Sequence, residues 1–187
     1  MKILAFAGRR KSGKTYAAEQ FIEVASLYGH PFRRTSFAHE LRKQFANLKG
    51  ISPSLLTENF AKEEYREELV AFATEIKRTD PKFFIRSLFE NILDYESVVI
   101  DDLRYIEELE EIWNRDGVIF KVEAEKKILE ARGWKFTPGV DDELGETELG
   151  SLDPHTFIPY GGYFYNNSST EALKLELHKI YTKHFIE

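Results

Sequence analysis

The sequence predicts an α/β fold with a mainly parallel central sheet and helices on both faces. Three observations carry that expectation. Short apolar runs at 2–7, 97–101 and 118–124 read as buried strands, helical periodicity fills the stretches between them, and the pattern "GRRKSGKT" (8–15) sits on the first strand-to-helix junction. Parallel neighbours cannot be joined by a tight turn, so strands alternating with helices point to crossover connections and a parallel sheet.

Each element has a local reason. Residues 2–7 are an apolar strand, and 14–28 place Ala17, Phe21, Val24 and Ala25 on one helical face, ended by Gly29. A short strand is expected at 32–37 and a helix at about 38–48, followed by a long helical stretch over roughly 60–79. Asp80-Pro81 stops that stretch and opens another helix, because Pro fits a first helical turn and Asp can cap it. "SVVID" (97–101) is a buried strand, 104–115 a helix and "VIFKVEA" (118–124) a strand; a last strand falls within 157–165, ahead of a final helix at about 169–185. No repeat or linker divides the chain, so 1–187 is read as one domain.

The chain has 187 residues, 42 % apolar and 31 % charged, the balance of a soluble globular protein. It holds no cysteine, which excludes disulfides and thiolate metal sites. No apolar run is long enough to span a bilayer, and the N-terminus enters a strand with no signal pattern; the expectation is a cytoplasmic protein with no membrane partner. The net charge of −6 hides an asymmetry: residues 1–50 hold ten Lys or Arg against three Asp or Glu, leaving a strongly acidic remainder. Cations cluster at Arg9, Arg10, Lys11 and Lys14 and again at Arg33, Arg34, Arg42 and Lys43, which suits a compact polyanion rather than a long nucleic acid. Oligomeric state has no signature.

"GRRKSGKT" is the G-x-x-x-x-G-K-[ST] pattern. Gly8 and Gly13 let backbone N–H groups approach a phosphate, with Arg10, Lys11 and Ser12 between them. Lys14 reaches the β/γ-phosphates, the Thr15 hydroxyl ligates magnesium, and the helix N-terminus adds its dipole. A second acidic group for the metal is expected at the end of a buried strand, where "VVIDD" offers Asp101 or Asp102, one of them otherwise a helix cap. The expected cofactors are therefore ATP and Mg2+. No N-K-x-D base-reading motif or ABC signature is present. The segment 125–150, with Lys126, Lys127 and Arg132, has the composition of a mobile lid that excludes water during phosphoryl transfer. The whole reads as a three-layer P-loop kinase fold with a lid.

"GRRKSGKT", "KEEYREE", "EIKRTDPKFFIR" and "ARGWKFTPGVDD" resemble, in order along about 8–167, the animal-type phosphomevalonate kinases. The resemblance implies that ATP gives its γ-phosphate to the phosphate of 5-phosphomevalonate, a small phosphorylated substrate. It implies an acceptor site of Lys62, Arg66, Arg78, Arg86 and Arg104, with Arg132 as lid arginine and Lys11, Lys14, Arg104 and Arg132 as catalytic cations. Three departures stand out. Tyr105 occupies the place of a second arginine after Arg104, Thr15 replaces an aspartate, and "GETELG" replaces "ESECGLD". An Asp-x-Arg followed by an aromatic is instead similar to the phage and bacterial deoxynucleoside monophosphate kinases. Such a kinase, including one acting on a modified nucleotide, and an ATP-binding regulatory protein are the alternatives.

Overall fold

A computed structural model of the chain describes residues 1–57, 64–93 and 96–186. Strands β1 (Lys2–Ala7), β2 (Arg33–Thr35), β3 (Ser97–Leu103), β4 (Val118–Glu123) and β5 (Gly161–Tyr165) form an all-parallel sheet in the order β2-β3-β1-β4-β5. β1 therefore lies between β3 and β4, where the strand order reverses. Parallel α/β sheets open a crevice at the carboxyl ends of such strands.

The apolar runs alternate between two cores. Ile3, Ala5, Val98, Ile100 and Ile119 face one layer, and Leu4, Phe6, Val99, Phe120 and Val122 face the other. A strand buried on both faces has to be apolar on both, which is why "KILAFA" carries no alternation. The second layer is helix α1 (Lys14–Leu27) packed on the C-terminal helix α8 (Thr170–Tyr181) through Phe21, Val24, Leu177 and Tyr181. The first layer gathers α2 (Ala38–Lys49), α3 (Arg66–Thr79), α4 (Phe83–Glu90) and α5 (Ile106–Trp113).

Element ends follow local chemistry. Gly29, at φ 74°, closes α1 while the His30 N–H returns to Ala25 O at 3.2 Å, a left-handed stop that glycine adopts without strain. The helix expected at 104–115 begins at Ile106, because the N–H groups of Arg104 and Tyr105 are both taken by Glu108 Oε2, at 3.0 and 3.2 Å. The helix after Asp80-Pro81 starts at Phe83, and the Asp80 carboxylate holds Arg86. The β5 strand is preceded by a tight helical turn over Pro154–Tyr160. Of the stretch expected at 60–79, residues 60–63, with Lys62, lie outside the described residues.

Two short helices, α6 (Lys126–Ala131) and α7 (Leu144–Thr147), belong to the lid segment. Lys121, fully buried on β4, anchors its far end by donating to the carbonyls of Gly150 (3.2 Å) and Leu152 and pairing with Glu123 at 2.7 Å. No described helix is long and apolar enough to cross a membrane.

Candidate functional site

The phosphate loop joins the end of β1 to the first turn of α1. Its backbone turns left-handed at Gly8 (φ 136°), Lys11 (φ 66°) and Gly13 (φ 98°). A Cβ at Gly8 would stand 2.3 Å from Val122 O, and one at Gly13 would stand 2.2 Å from Asn166 Nδ2, so no larger residue fits either place. Lys11 holds the same region with a side chain, a strain that recurs where the backbone is shaped for a ligand. The N-terminus of α1 has no side-chain cap and no acid in its first turn. Its N–H groups stay open to an anion, with the dipole favouring one. Ser12 Oγ is buried with no hydrogen-bond partner among the described residues, and Lys14 Nζ folds back on the carbonyls of Gly8 (2.7 Å) and Arg9 (2.9 Å). The loop thus has the donor set of a phosphate cradle.

The lid is fastened to this loop from two sides. Arg132 donates to Ser12 O at 3.0 Å and to Asn166 O at 2.7 Å, and its burial lowers its pKa. Arg10, which also lines the cleft described below, donates to Asp141, Nε to Oδ1 at 3.0 Å and Nη2 to Oδ2 at 2.6 Å, and to Lys135 O at 2.7 Å. Both side chains are 7 % exposed. Burial pushes the Asp141 carboxyl up, but the Arg10 charge and the N–H groups of Thr137 and Trp134 outweigh it and hold the carboxyl below its ordinary range. "WKFTPGVDD" is therefore, in part, a socket for a phosphate-loop arginine.

Beside the loop opens a cleft of about 1130 Å3, walled by β2, the start of α2, the end of β3, Arg132 and residues 166–170. Of the residues expected at the site, Arg10, Lys11, Lys14, Thr15, Arg66, Asp101, Asp102, Arg104 and Arg132 line it, together with Arg33, Arg34 and Arg42, which the charge clustering flags without assigning them a role. Arg78 and Arg86 do not line it. Arg78 is exposed on α3 against Glu75, and Arg86 is exposed on α4 against Asp80. The tyrosines at 163 and 165 pack edge-to-face on β5, outside the cleft.

The two carboxylates at the end of β3 have different partners. Asp102 accepts the N–H groups of Phe37 (2.8 Å) and Ala38 (2.9 Å), one on each oxygen, and so caps the start of α2. Asp101 has Arg34 Nε at 3.9 Å, and Arg34 also pairs with Glu19 on α1; both aspartates line the cleft.

A second cavity of about 340 Å3 opens beside the cleft, sharing Arg42, Arg66, Asp102 and Arg104 with it. Its walls include Leu41, Leu56, Leu69 and Phe84, and Lys77, Tyr105, Glu108 and Glu146 supply its polar groups. Arg104 pairs with Glu146, whose other oxygen accepts the Arg10 N–H at 2.9 Å. Burial opposes the Arg104 charge and raises the Glu146 carboxyl; their mutual attraction prevails, raising the one pKa and lowering the other. Glu108 is pushed up to about 7 by burial, against the pull of Lys77, while Tyr105 is pushed up to about 12 by burial and the Glu108 charge. Lys77, Glu108 and Glu146 carry no motif signature. Only the helical phase of α3 tells Lys77 from Arg78.

Comparison with known proteins gives a family and a fold. The family model described as phosphomevalonate kinase matches residues 6–116, from the phosphate loop to the end of α5. A phosphomevalonate kinase of Drosophila melanogaster is 26 % identical over 160 residues, covering 81 % of this chain and 83 % of the relative. Among solved structures, a gluconokinase from Sinorhizobium meliloti superposes with a TM-score of 0.55 at 14 % identity, covering 97 % of this chain and 92 % of its own, a likeness of fold.

Proposed function

Because the chain belongs to the phosphomevalonate kinase family, we propose that it transfers the γ-phosphoryl group of ATP to the phosphate of 5-phosphomevalonate. The observation that supports this reading is the joined pair of cavities, in which a phosphate cradle and a smaller, largely apolar chamber share Arg66 and Arg104. An acceptor phosphate at that junction faces the donor's terminal phosphate, with its carbon skeleton in the chamber.

An oxygen of the acceptor phosphate attacks the γ-phosphorus, the bond from that phosphorus to the β–γ bridging oxygen breaks, and ADP leaves beside a newly formed diphosphate. The attacking phosphate is already ionised, so no strong general base is required; the protein's part is to align two anions and offset their repulsion. Lys11 and Lys14 serve the donor phosphates, and Arg104 and Arg66 the acceptor. Arg132, docked on the loop carbonyls, screens the transferring group and closes the cleft to water.

Among the described residues no group of three or more acids or histidines forms a metal cage. The Thr15 hydroxyl and Asp101 are the residues that would hold a magnesium ion, which keeps most of its coordination for water and substrate phosphates. Bound there, the ion supplies charge neutralisation between the phosphates. Asp102 is left to its helix cap. We place the reaction in the cytoplasm, on a free small molecule.

The test is ADP release from Mg-ATP with 5-phosphomevalonate beside a panel of nucleoside and deoxynucleoside monophosphates. Turnover confined to phosphomevalonate, abolished by Lys14→Ala, is the expected result. Turnover with a nucleotide alone would move the acceptor to the nucleoside monophosphates. ATP binding without acceptor-dependent turnover would make the protein a nucleotide-responsive regulator.

A further inference from the structure

Resting on that acceptor reading, we propose that Lys77 is the specificity-determining cation of the chamber, binding a carboxylate that the acceptor carries at the end remote from its phosphate. Lys77 lines the chamber and not the phosphate cleft, whereas Arg66 and Arg104 line both. Its ammonium lies over the Tyr105 ring and 3.8 Å from Glu108 Oε1, outside hydrogen-bond reach, and makes no hydrogen bond with any described residue. An ammonium has three donors and no acceptor, and a part-buried one with an ion pair and an aromatic face but no hydrogen bond leaves those donors unused. The open volume beside it is where those donors find a ligand.

The acids around the chamber do not take that role. Glu108 has its other oxygen on the N–H groups of Arg104 and Tyr105, Asp102 is occupied by the start of α2, and Glu146 is held between Arg104 and the Arg10 N–H. Glu143 lies exposed at the rim. Each of these three buried or half-buried carboxylates already accepts from a donor at hydrogen-bond distance, whereas Lys77 has no acceptor at that distance among the described residues. Burial also lowers the Lys77 pKa, so a bound anion would stabilise its charged form. The apolar walls suit a short aliphatic spacer between the two charged ends of a ligand. Arg78, one residue on, points to solvent against Glu75, so the recognition falls to its neighbour.

The experiment compares 5-phosphomevalonate with its carboxamide analogue as acceptors for the wild-type protein, Lys77→Met and Lys77→Arg. A hydrogen bond to a charged group is worth a factor of about 10–100. The wild type is expected to prefer the carboxylate by about that factor in acceptor KM. Lys77→Met is expected to lose the preference at an unchanged ATP KM, and Lys77→Arg to restore part of it. Equal use of both acceptors by the wild type, or a preference that survives in Lys77→Met, overturns the assignment of Lys77 while leaving the kinase reading intact. A wild type that turns over neither acceptor but phosphorylates another phosphomonoester overturns the acceptor reading itself, and this proposal with it. The wild-type comparison needs no variant to fold, and an ATP-induced rise in melting temperature confirms that each variant has folded.

Discussion

Arg104 and Glu146, 42 residues apart, form an ion pair that ties the end of β3 to the phosphate loop, because the same carboxylate accepts the Arg10 N–H at 2.9 Å. One acid on a four-residue helix thus bridges the loop and Arg104, the arginine proposed to bind the acceptor. Glu146→Gln keeps the shape and removes the charge. It is expected to lower stability by about 1–3 kcal/mol, since Arg104 is left without its counter-charge. It is also expected to reduce kcat/KM for the acceptor by about 10–100-fold, with a smaller effect on ATP. Steady-state kinetics with each substrate varied checks this; equal losses for both substrates would contradict the positioning role.

The clasp of Arg10 by Asp141 is almost fully buried, and breaking such a pair from one side leaves a desolvated charge. Arg10→Ala and Asp141→Asn are each expected to destabilise the fold by about 3 kcal/mol. The double variant is expected to cost much less than the sum, a coupling of at least about 1 kcal/mol. A double-mutant cycle by denaturant unfolding measures it. Additive losses would mean that the lid is held chiefly by Arg132 and Lys121.

Asp101 and Asp102 separate by consequence. Asp102→Ala removes a helix cap, so stability falls by about 1–2 kcal/mol while the Mg2+ concentration for half-maximal activity stays put. Asp101→Asn is expected to raise that concentration by about tenfold or more with little effect on melting. Titrating Mg2+ at saturating ATP reads both, and the reverse pattern would give the metal to Asp102.

Glu108 makes the protein less stable as pH rises through neutrality. Its folded pKa, about 7, stands above the ordinary 4.5 because burial penalises the charged form. The folded state therefore holds the proton more tightly than the unfolded chain. The resulting stabilisation is complete below 4.5 and is lost as pH climbs through 7. The loss is on the order of 1–3 kcal/mol, a fall of several degrees in melting temperature between pH 5 and 8. Glu108→Gln still accepts the Arg104 and Tyr105 N–H groups and is expected to flatten that slope. Melting curves at pH 5, 6.5 and 8 decide it.

The sequence by itself determined the parts of this protein that depend on short-range order. A phosphate loop needs glycines at two fixed places and a lysine and a hydroxyl after them, all within eight residues. Buried parallel strands announce themselves as apolar runs, so β1, β3 and β4 could be placed to within a residue or two. The charged, turn-rich stretch 125–150 stands apart by its composition. What the tertiary structure decided was direction. Arg10, read as a phosphate ligand, lines the cleft and also meets an aspartate 131 residues away, a pairing no local pattern encodes. Asp101 and Asp102 are equivalent as letters, and only the packed structure puts Asp102 on the N–H groups of Phe37 and Ala38 and Asp101 beside Arg34. One step of helical rotation turns Lys77 into the chamber and Arg78 into water. Such choices arise from the packing of whole elements, where about 100° of helix phase or one residue of strand register changes which side chain meets the ligand.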